Sequence, residues 1–290
     1  MLDKGEIERV VAMALAEDVG NGDLTSQATI PAHLSLCATM NTRQPMVLAG
    51  LPLAVATFRA CDADCQIECL TKDGDRLDQG TTIARITGNA RAILTAERTA
   101  LNIVQHLSGI ATLTRAYVDR IAHTRARLLD TRKTIPGLRK LAKYAVRMGG
   151  GHNHRMRLDD GVLIKDNHIA RVGSVAGAIK AAKAADTGAS TIGITVECDT
   201  LTQVEEAIDA GADRILLDNM TPDQLRKAVA LAAGRVELEA SGGVTLETIA
   251  SIAETGVDFI SVGRITQSAP AVDIGLDFAD REDIGFPENL

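Results

Sequence analysis

Aromatic residues are scarce in this chain of 290 residues, which has no tryptophan, two tyrosines and four phenylalanines. Proteins that bind single-stranded nucleic acids stack the bases on aromatic side chains, and nucleic-acid binding in general depends on positive charge. The formal net charge is −7, and the sequence pI is about 5.4. We therefore expect no nucleic-acid partner.

The chain also lacks a long, purely apolar run. The uncharged stretch 44–58 is interrupted by Pro45 and Pro52, and it falls short of the roughly 20 residues that a membrane helix needs. The first residues show no basic region followed by an apolar one, which is the pattern of a signal peptide. We expect no membrane segment and a cytoplasmic location.

Cysteine is infrequent, with five residues in the chain. Such usage favours free thiols in a reducing compartment. Cys61, Cys65 and Cys69 are regularly spaced, but no histidine lies among them, so a metal cluster is disfavoured. Cys198 is expected to be a small buried hydrophobic residue rather than a nucleophile.

Hydrophobic residues make up 46% of the chain, and in its second half they form short strand-like runs separated by helical stretches. Alternating strands and helices predict a parallel sheet, open or closed. The clear runs number fewer than the eight strands of a full barrel, which favours an incomplete or irregular barrel. The runs cover residues 128–129, 162–164, 192–196, 215–217, 236–238 and 259–260.

The first part of the chain has a different pattern. An amphipathic helix is predicted over residues 4–17 and a second helix over 91–107. Between them, alternating residues and glycine turns in 65–88 indicate antiparallel strands. The chain is therefore expected to divide near residue 110.

Each predicted strand of the second half ends on charged, hydroxyl or glycine residues. In a β/α barrel these ends meet at one face, where catalytic residues lie. Nine Lys or Arg residues lie between Asp130 and His168, which predicts an anion site. Its best candidates follow strands or a glycine run: Arg132, Lys133, Arg155 and Lys165. Four other cations at helical spacing are expected on a solvated face: Arg139, Lys140, Lys143 and Arg147.

Further polar groups lie near the predicted strand ends. Consecutive glycines let backbone N–H groups approach a phosphate, as in Ser241-Gly242-Gly243 and in Val262-Gly263-Arg264. Glu197 and Asp218 could hold Mg2+ or ribose hydroxyls, or merely neutralise Lys165 and Lys133. For His152, His154 and His168, a chemical role and a simple hydrogen-bonding role remain equally open.

Several long motifs resemble the quinolinate phosphoribosyltransferase family, and together they extend over nearly the whole chain. The motifs are Glu17-Asp18-x-Gly20-x-Gly22-Asp23-x-Thr25-Ser26, Ala96-Glu97-Arg98-Thr99-Ala100-Leu101-Asn102, Asp130-Thr131-Arg132-Lys133-Thr134-x-Pro136-Gly137, Lys143-Tyr144-Ala145-Val146-Arg147-x-Gly149-Gly150-Gly151-x-Asn153-His154-Arg155, Ile164-Lys165-Asp166-Asn167-His168, Leu217-Asp218-Asn219-Met220 and Glu239-Ala240-Ser241-Gly242-Gly243.

The resemblance implies a fold and an assembly. The fold would be an incomplete, seven-stranded α/β barrel over residues 111–273, joined to an N-terminal α/β sandwich domain over 1–110 that the tail 274–290 rejoins. The family forms homodimers or larger oligomers, including hexamers.

The resemblance also implies a reaction. Quinolinate and phosphoribosyl pyrophosphate, with Mg2+, would give nicotinate mononucleotide, pyrophosphate and carbon dioxide in de novo NAD synthesis. The implied catalytic residues are Lys133, Lys165, Glu197 and Asp218, of which Glu197 and Asp218 would contact the ribose and the metal. Quinolinate would be held by Arg132, His154, Arg155, Lys165 and, from the neighbouring subunit, Arg98. The phosphates would be held by Lys133, Ser241, Gly242, Gly243 and Gly263, beside the further substrate-binding residues Thr131, Val262 and Arg264.

One position departs from the family pattern. The family often has histidine where this chain has Gln267, so a phosphate contact there would be uncharged. Two alternatives stay open: a paralogue of the same fold that is linked to molybdenum transport, and a non-catalytic barrel that binds carbohydrate or phosphate.

Overall fold

The computed structural model describes residues 2–185 and 193–278. The chain forms two compact units. The first comprises the residues up to Leu113, Lys140–Gly149 and the residues from Ala269 onward, and the second comprises Thr114–Arg139 and Gly150–Ser268. Because the helix Ala90–Ile121 continues through residue 110, the chain leaves the first unit within a helix.

Most elements of the first unit lie in the N-terminal third of the chain. They are α1 (Lys4–Val19), α2 (Leu24–Thr29), β1 (Ser35–Thr42), β2 (Met46–Val47), α3 (Leu51–Cys61), β3 (Gln66–Cys69), β4 (Arg76–Leu77), β5 (Thr82–Asn89), the beginning of α4 (Ala90–Ile121), α5 (Arg139–Met148) and β12 (Ile274–Phe278).

The main sheet of this unit has the strand order β12-β1-β5-β3, and all its pairings are antiparallel. The inward side chains of β1 are Ala38, Met40 and Thr42, which are all buried. Ala38 and Met40 pack with α3 and α4 in one hydrophobic core that includes Phe58 and Leu101. The expected antiparallel strands in 65–88 are confirmed.

The second unit consists of strands alternating with helices. Its elements are β6 (Arg127–Leu129), β7 (Val162–Ile164), α6 (Asp166–Val172), α7 (Val175–Ala184), β8 (Ile194–Cys198), α8 (Leu201–Asp209), β9 (Arg214–Asp218), α9 (Pro222–Ala232), β10 (Glu237–Ser241), α10 (Ile249–Ala253), β11 (Phe259–Ser261) and α11 (Arg264–Gln267).

These strands form one sheet with the order β6-β11-β10-β9-β8-β7, and every pairing in it is parallel. In the described part of the chain the sheet has six strands. A single parallel bridge joins Leu129 to His152 on the free side of β6, and a seventh strand is present only if this bridge is counted. The predicted incomplete α/β barrel is confirmed.

The strand boundaries differ from the prediction at several functional positions, among them Asp218 at the end of β9. The strand β10 continues through Glu239 to Ser241, and β8 continues through Glu197 to Cys198. The hydrophobic runs of the sequence located the centres of the strands correctly. The runs end before the polar strand residues that face the inside of the barrel, so the strands are longer than predicted. Ile192, the predicted start of β8, and residues 279–290 lie outside the described residues.

The expectation of a solvated cationic face on α5 was wrong for Lys143, whose side chain is fully buried. Residues 141–146 of α5 are all buried, so the helix is enclosed on more than one side. Arg139 is half-buried and donates hydrogen bonds to Thr134 and to the carbonyl of Met156. Of the four cations, only Lys140 and Arg147 are exposed.

The cysteines are free thiols. Cys198 is fully buried, as expected, and burial raises the pKa of its thiol to about 12. Within the described part of the chain, no helix combines the length and the hydropathy that a membrane span requires.

Candidate active site

A cavity of about 800 Å3 opens at the carboxyl ends of the parallel strands. Its walls come from every strand of the barrel sheet or from the segment that follows it, as the barrel rule predicts. The lining residues are Thr131, Arg132, Lys133, His154, Arg155, Leu163, Lys165, Glu197, Leu216, Asp218, Asn219, Glu239, Ser241, Gly242, Gly243, Val244, Thr245, Ser261, Val262, Gly263, Arg264 and Gln267.

One wall of the cavity is cationic. Burial lowers the pKa of the Arg155 guanidinium, and the nearby positive charge of Arg132 lowers it further. Arg155 donates to the carbonyl of Gly161 at 2.8 Å. Among the described residues, the buried Nε of Arg132 meets no hydrogen-bond acceptor. Two adjacent guanidinium groups, one incompletely satisfied, favour binding of an anion between them.

Both the backbone and the ring of His154 make contacts that hold it at the edge of this wall. Its backbone N–H donates to Asp130 Oδ1 at 2.8 Å, and its ring Nδ1 accepts from the backbone N–H of Arg155 at 2.7 Å. A neutral imidazole therefore carries its proton on Nε2. That nitrogen lies 3.5 Å from Oε2 of the buried Glu239.

Two adjacent strands, β8 and β9, contribute carboxylates to the cavity. Glu197 is nearly buried, and its Oε2 accepts from Lys165 Nζ at 2.6 Å. Burial, followed by repulsion from Glu197, raises the pKa of the Asp218 carboxyl, although a hydrogen bond from Asn219 partly opposes this. Two like charges in close proximity favour a cation or a cationic reaction centre between them.

The Ser241-Gly242-Gly243 loop follows β10 and has consecutive left-handed residues, with φ of 96° at Gly242 and 60° at Gly243. A side chain at Gly242 would overlap the amide of Asn219. Asn219 is itself left-handed, with φ 52°, and donates to Asp218 Oδ2 at 2.6 Å. The loop and the carboxylate are thus held together in a turn where backbone N–H groups can meet a phosphate.

Gly263, after β11, lies against Lys133. A Cβ at Gly263 would lie 2.9 Å from Lys133 Cδ, so the lysine stem runs across the glycine. The carbonyl of Lys133 accepts from Thr266 Oγ1 at 2.8 Å. Because Gly263 has no side chain, the side chain of Lys133 can extend along the cavity.

The structure brings together every residue predicted for the site except Arg98, which is exposed on α4 in the first unit. His152 and His168 do not line the cavity. His168 Nδ1 accepts from the backbone N–H of Lys165 at 2.9 Å, so His168 caps α6.

The domain models of known families match almost the whole chain. The model of the quinolinate phosphoribosyl transferase C-terminal domain matches residues 110–277, and that of the N-terminal domain matches residues 23–108. This chain belongs to the quinolinate phosphoribosyltransferase family.

Individual relatives agree with this assignment. The nicotinate-nucleotide pyrophosphorylase (carboxylating) of Mycobacterium leprae is 45% identical over 273 residues, which cover 92% of this chain and 95% of the relative. A probable enzyme of the same name from Bacillus subtilis is 43% identical over 272 residues, or 94% and 93% of the two chains. The solved structure of the Francisella tularensis nicotinate-nucleotide pyrophosphorylase superposes with a TM-score of 0.92 at 42% identity, covering 96% and 98%.

Sequence reasoning assigned no role to several polar residues that line the cavity of this phosphoribosyltransferase-family chain. Glu239 and Ser261 lie in strands, and Asn219 and Thr245 follow strands. Glu239 stands two residues before Ser241, and side chains alternate along a strand. Counting back by two from each predicted strand-end residue would have identified it.

Proposed function

We propose that this protein transfers the phosphoribosyl group of phosphoribosyl pyrophosphate to quinolinate, releasing pyrophosphate and carbon dioxide and yielding nicotinate mononucleotide. The decisive observation is that cationic side chains and a glycine-rich phosphate loop line one cavity, with two carboxylates beside them. A pyridine dicarboxylate and a pyrophosphate ester are both polyanionic, and their reaction passes through a cationic ribose. Family membership supports the same reaction.

The cationic wall is the proposed quinolinate subsite. Arg132 and Arg155 present planar N–H donors, which match carboxylates in bidentate geometry. Lys165 completes the set with His154. Because Lys165 is bound to Glu197 in this structure, a substrate carboxylate would compete with Glu197 for that ammonium group.

The glycine loops and Lys133 form the proposed phosphate subsite. Gly242 and Gly243 are both left-handed, a conformation in which successive backbone N–H groups can turn toward a phosphate, and the Lys133 side chain crosses Gly263. Further polar or backbone contacts would come from Thr131, Ser241, Val262 and Arg264, which line the same cavity.

Glu197 and Asp218 are the proposed stabilisers of the ribose. Loss of pyrophosphate leaves positive charge at C1 of the ribose, and carboxylates fixed nearby lower the energy of that state. The ring nitrogen of quinolinate then attacks C1. The resulting pyridinium withdraws electrons from C2, so the 2-carboxylate leaves as carbon dioxide while the electron pair stays on C2. That electron pair then takes up one proton from water, which gives the C2–H bond of nicotinate mononucleotide.

The same two carboxylates fit a magnesium site. Mg2+ prefers carboxylate oxygens and commonly binds one or two of them together with substrate phosphates. The raised pKa of Asp218 beside Glu197 marks a place where a cation would relieve repulsion. When bound, Mg2+ would neutralise charge on the pyrophosphate.

Arg98 is proposed to complete the quinolinate subsite of a partner subunit, so the active form would be at least a homodimer. Arg98 is exposed, and Thr95, Asn102 and Gln105 share its helical stripe with little charge. Such a stripe suits a surface covered by protein. A cytoplasmic location is proposed from the free thiols, which suit a reducing compartment.

The test is to incubate the protein with quinolinate, phosphoribosyl pyrophosphate and Mg2+ and to measure nicotinate mononucleotide and carbon dioxide. Nicotinate and nicotinamide should be poor substrates because several cations facing one ring require a dicarboxylate, and an unpaired buried cation costs several kcal/mol. Turnover of nicotinate at the rate of quinolinate would contradict the proposal.

A further inference from the structure

Glu239 is a fully buried carboxylate at the lower end of the cavity. It lies on β10 two residues before Ser241, on the same side of the strand, and lines the cavity. Neither of its oxygens makes a hydrogen bond of good geometry with the described residues. Buried polar groups without a hydrogen bond are rare in native proteins, and a catalytic role is one reason for them.

The carboxyl is held in its charged form. Burial alone would raise the pKa of Glu239, but His154, Ser261 and Arg214 outweigh burial and keep the pKa below its ordinary value. Burying an unpaired charge costs several kcal/mol. The surrounding residues therefore maintain an anion at this position.

One neighbour is Arg214, which stands one layer below Glu239 in the barrel. It lies on β9, where Leu216 and Asp218 follow on the same side of the strand. Its Nη1 is 3.6 Å from Glu239 Oε2. The guanidinium is fixed by the exposed Glu237 at 2.7 Å and by the ring of Phe259, whose centroid is 4.0 Å away.

The other charged neighbour is His154, and the hydroxyl of Ser261 is a third, uncharged neighbour. The backbone N–H and the ring Nδ1 of His154 are already bonded, to Asp130 and to the N–H of Arg155. Its Nε2 lies 3.5 Å from Glu239 Oε2. Glu239 therefore contacts both the fixed guanidinium of Arg214 and the histidine of the cationic wall.

We propose that Glu239 is a positioning residue of the dicarboxylate subsite, which fixes the ring of His154 and, through its Nδ1, the backbone that carries Arg155. The role of the subsite rests on the proposed function, whereas the contact between Glu239 and His154 does not. A charge-assisted hydrogen bond measures about 2.7–2.9 Å, so the contact is long here. Catalytic contacts are often long in unliganded structures and tighten when substrate binds.

The chain offers a matched control for this proposal. Glu237 lies on the same strand, faces the same side and pairs with the same Arg214, but it does not line the cavity. Glu239→Gln and Glu237→Gln each remove one carboxylate partner of Arg214. Only the first removes the contact with His154.

The kinetic experiment compares the two variants. In Glu239→Gln, KM for quinolinate should rise on the order of 10-fold or more, which is typical for the loss of an orienting partner. KM for phosphoribosyl pyrophosphate should stay within about twofold because Glu239 acts on only one subsite. Glu237→Gln should keep both values near those of the wild type.

A second measurement does not need activity. Nitrogen-15 NMR of the imidazole rings, with His154 assigned from the signal that His154→Gln lacks, should show Nδ1 unprotonated and Nε2 protonated in the wild type. Glu239→Gln should change this signal, and Glu237→Gln should leave it unchanged. If the wild type makes no product, the proposed function fails, while the NMR result still decides whether Glu239 positions His154.

Two results would overturn the inference. One is an equal rise in quinolinate KM in both variants, which would trace the effect to Arg214. The other is an unchanged His154 signal in Glu239→Gln. If Glu239→Gln does not fold because Arg214 loses its buried partner, the double variant Glu239→Gln/Arg214→Gln removes both charges and is measured by the same criteria.

Discussion

Lys165 Nζ lies 2.6 Å from Glu197 Oε2, with the lysine side chain 48% exposed and the glutamate 10% exposed. A proposed substrate ligand and a proposed transition-state stabiliser are thus hydrogen-bonded to each other. Because half of the lysine faces solvent, an incoming carboxylate can take it over without first opening the protein. Glu197 is then released to face the ribose.

Glu197→Gln should separate these two roles. The amide can still accept from Lys165, so KM for quinolinate should not rise. Without the negative charge, turnover should fall on the order of 10²-fold. Steady-state kinetics with each substrate varied will measure both. The control is Glu205→Gln, an exposed change on α8. Normal turnover in Glu197→Gln would show that Glu197 serves only as a counter-charge for Lys165.

Gly242→Ala should damage the phosphate subsite. The added methyl group would overlap Asn219, and residue 242 is already left-handed, with φ 96°. Relieving this overlap would displace the loop or Asp218. We expect KM for phosphoribosyl pyrophosphate to rise about 10-fold or more, because the loop's N–H groups lose their alignment.

Gly234→Ala is the matched control for that change. Gly234 is also left-handed, with φ 76°, but nothing lies within 4 Å of its missing Cβ. Gly234→Ala should lower the free energy of unfolding by about 1–2 kcal/mol and leave KM for phosphoribosyl pyrophosphate unchanged. Thermal unfolding and steady-state kinetics together distinguish the two variants. If KM for phosphoribosyl pyrophosphate is the same in Gly242→Ala and Gly234→Ala, the loop accommodates the added methyl group at residue 242.

Mixing two inactive variants tests whether Arg98 acts in trans. Arg98→Ala and Lys165→Ala should each be nearly inactive, since each damages every site. After subunit exchange, half of the dimers are mixed and contain one intact site, so about a quarter of wild-type activity should return. The measurement is activity against mixing ratio, with exchange followed by mass spectrometry of tagged subunits. Absence of recovery despite exchange would place Arg98 outside a shared site.

The barrel could be predicted from the sequence because its strands are covered on both faces and form short continuous hydrophobic runs. The runs did not give the true ends of the strands. The strand β10 continues past Leu238 through Glu239, and hydrophobicity cannot reveal a buried acid whose partner, His154, is remote in sequence. The cavity was predictable because its position follows from the strand ends alone.

Two parts of the first unit were not predictable in the same way. The strand β1 places Ala38 inward, and alanine is depleted in strands and gives no strand signal. The helix α4 was predicted to end at residue 107, yet it continues through Gly109 to Ile121. A side chain at Gly109 would overlap the carbonyl of Pro270, so this glycine permits close packing that only the folded chain reveals.

The pairing of β12 with β1, which sets Ala38 opposite Phe278, has a consequence for biosynthesis. When β1 leaves the ribosome, one side of it has no partner, and the partner emerges only after the whole barrel has been translated. Unpaired strand edges recruit other chains, and nascent domains generally fold from the N-terminus. The sheet that is made first is therefore completed last, and its open edge must be protected throughout translation.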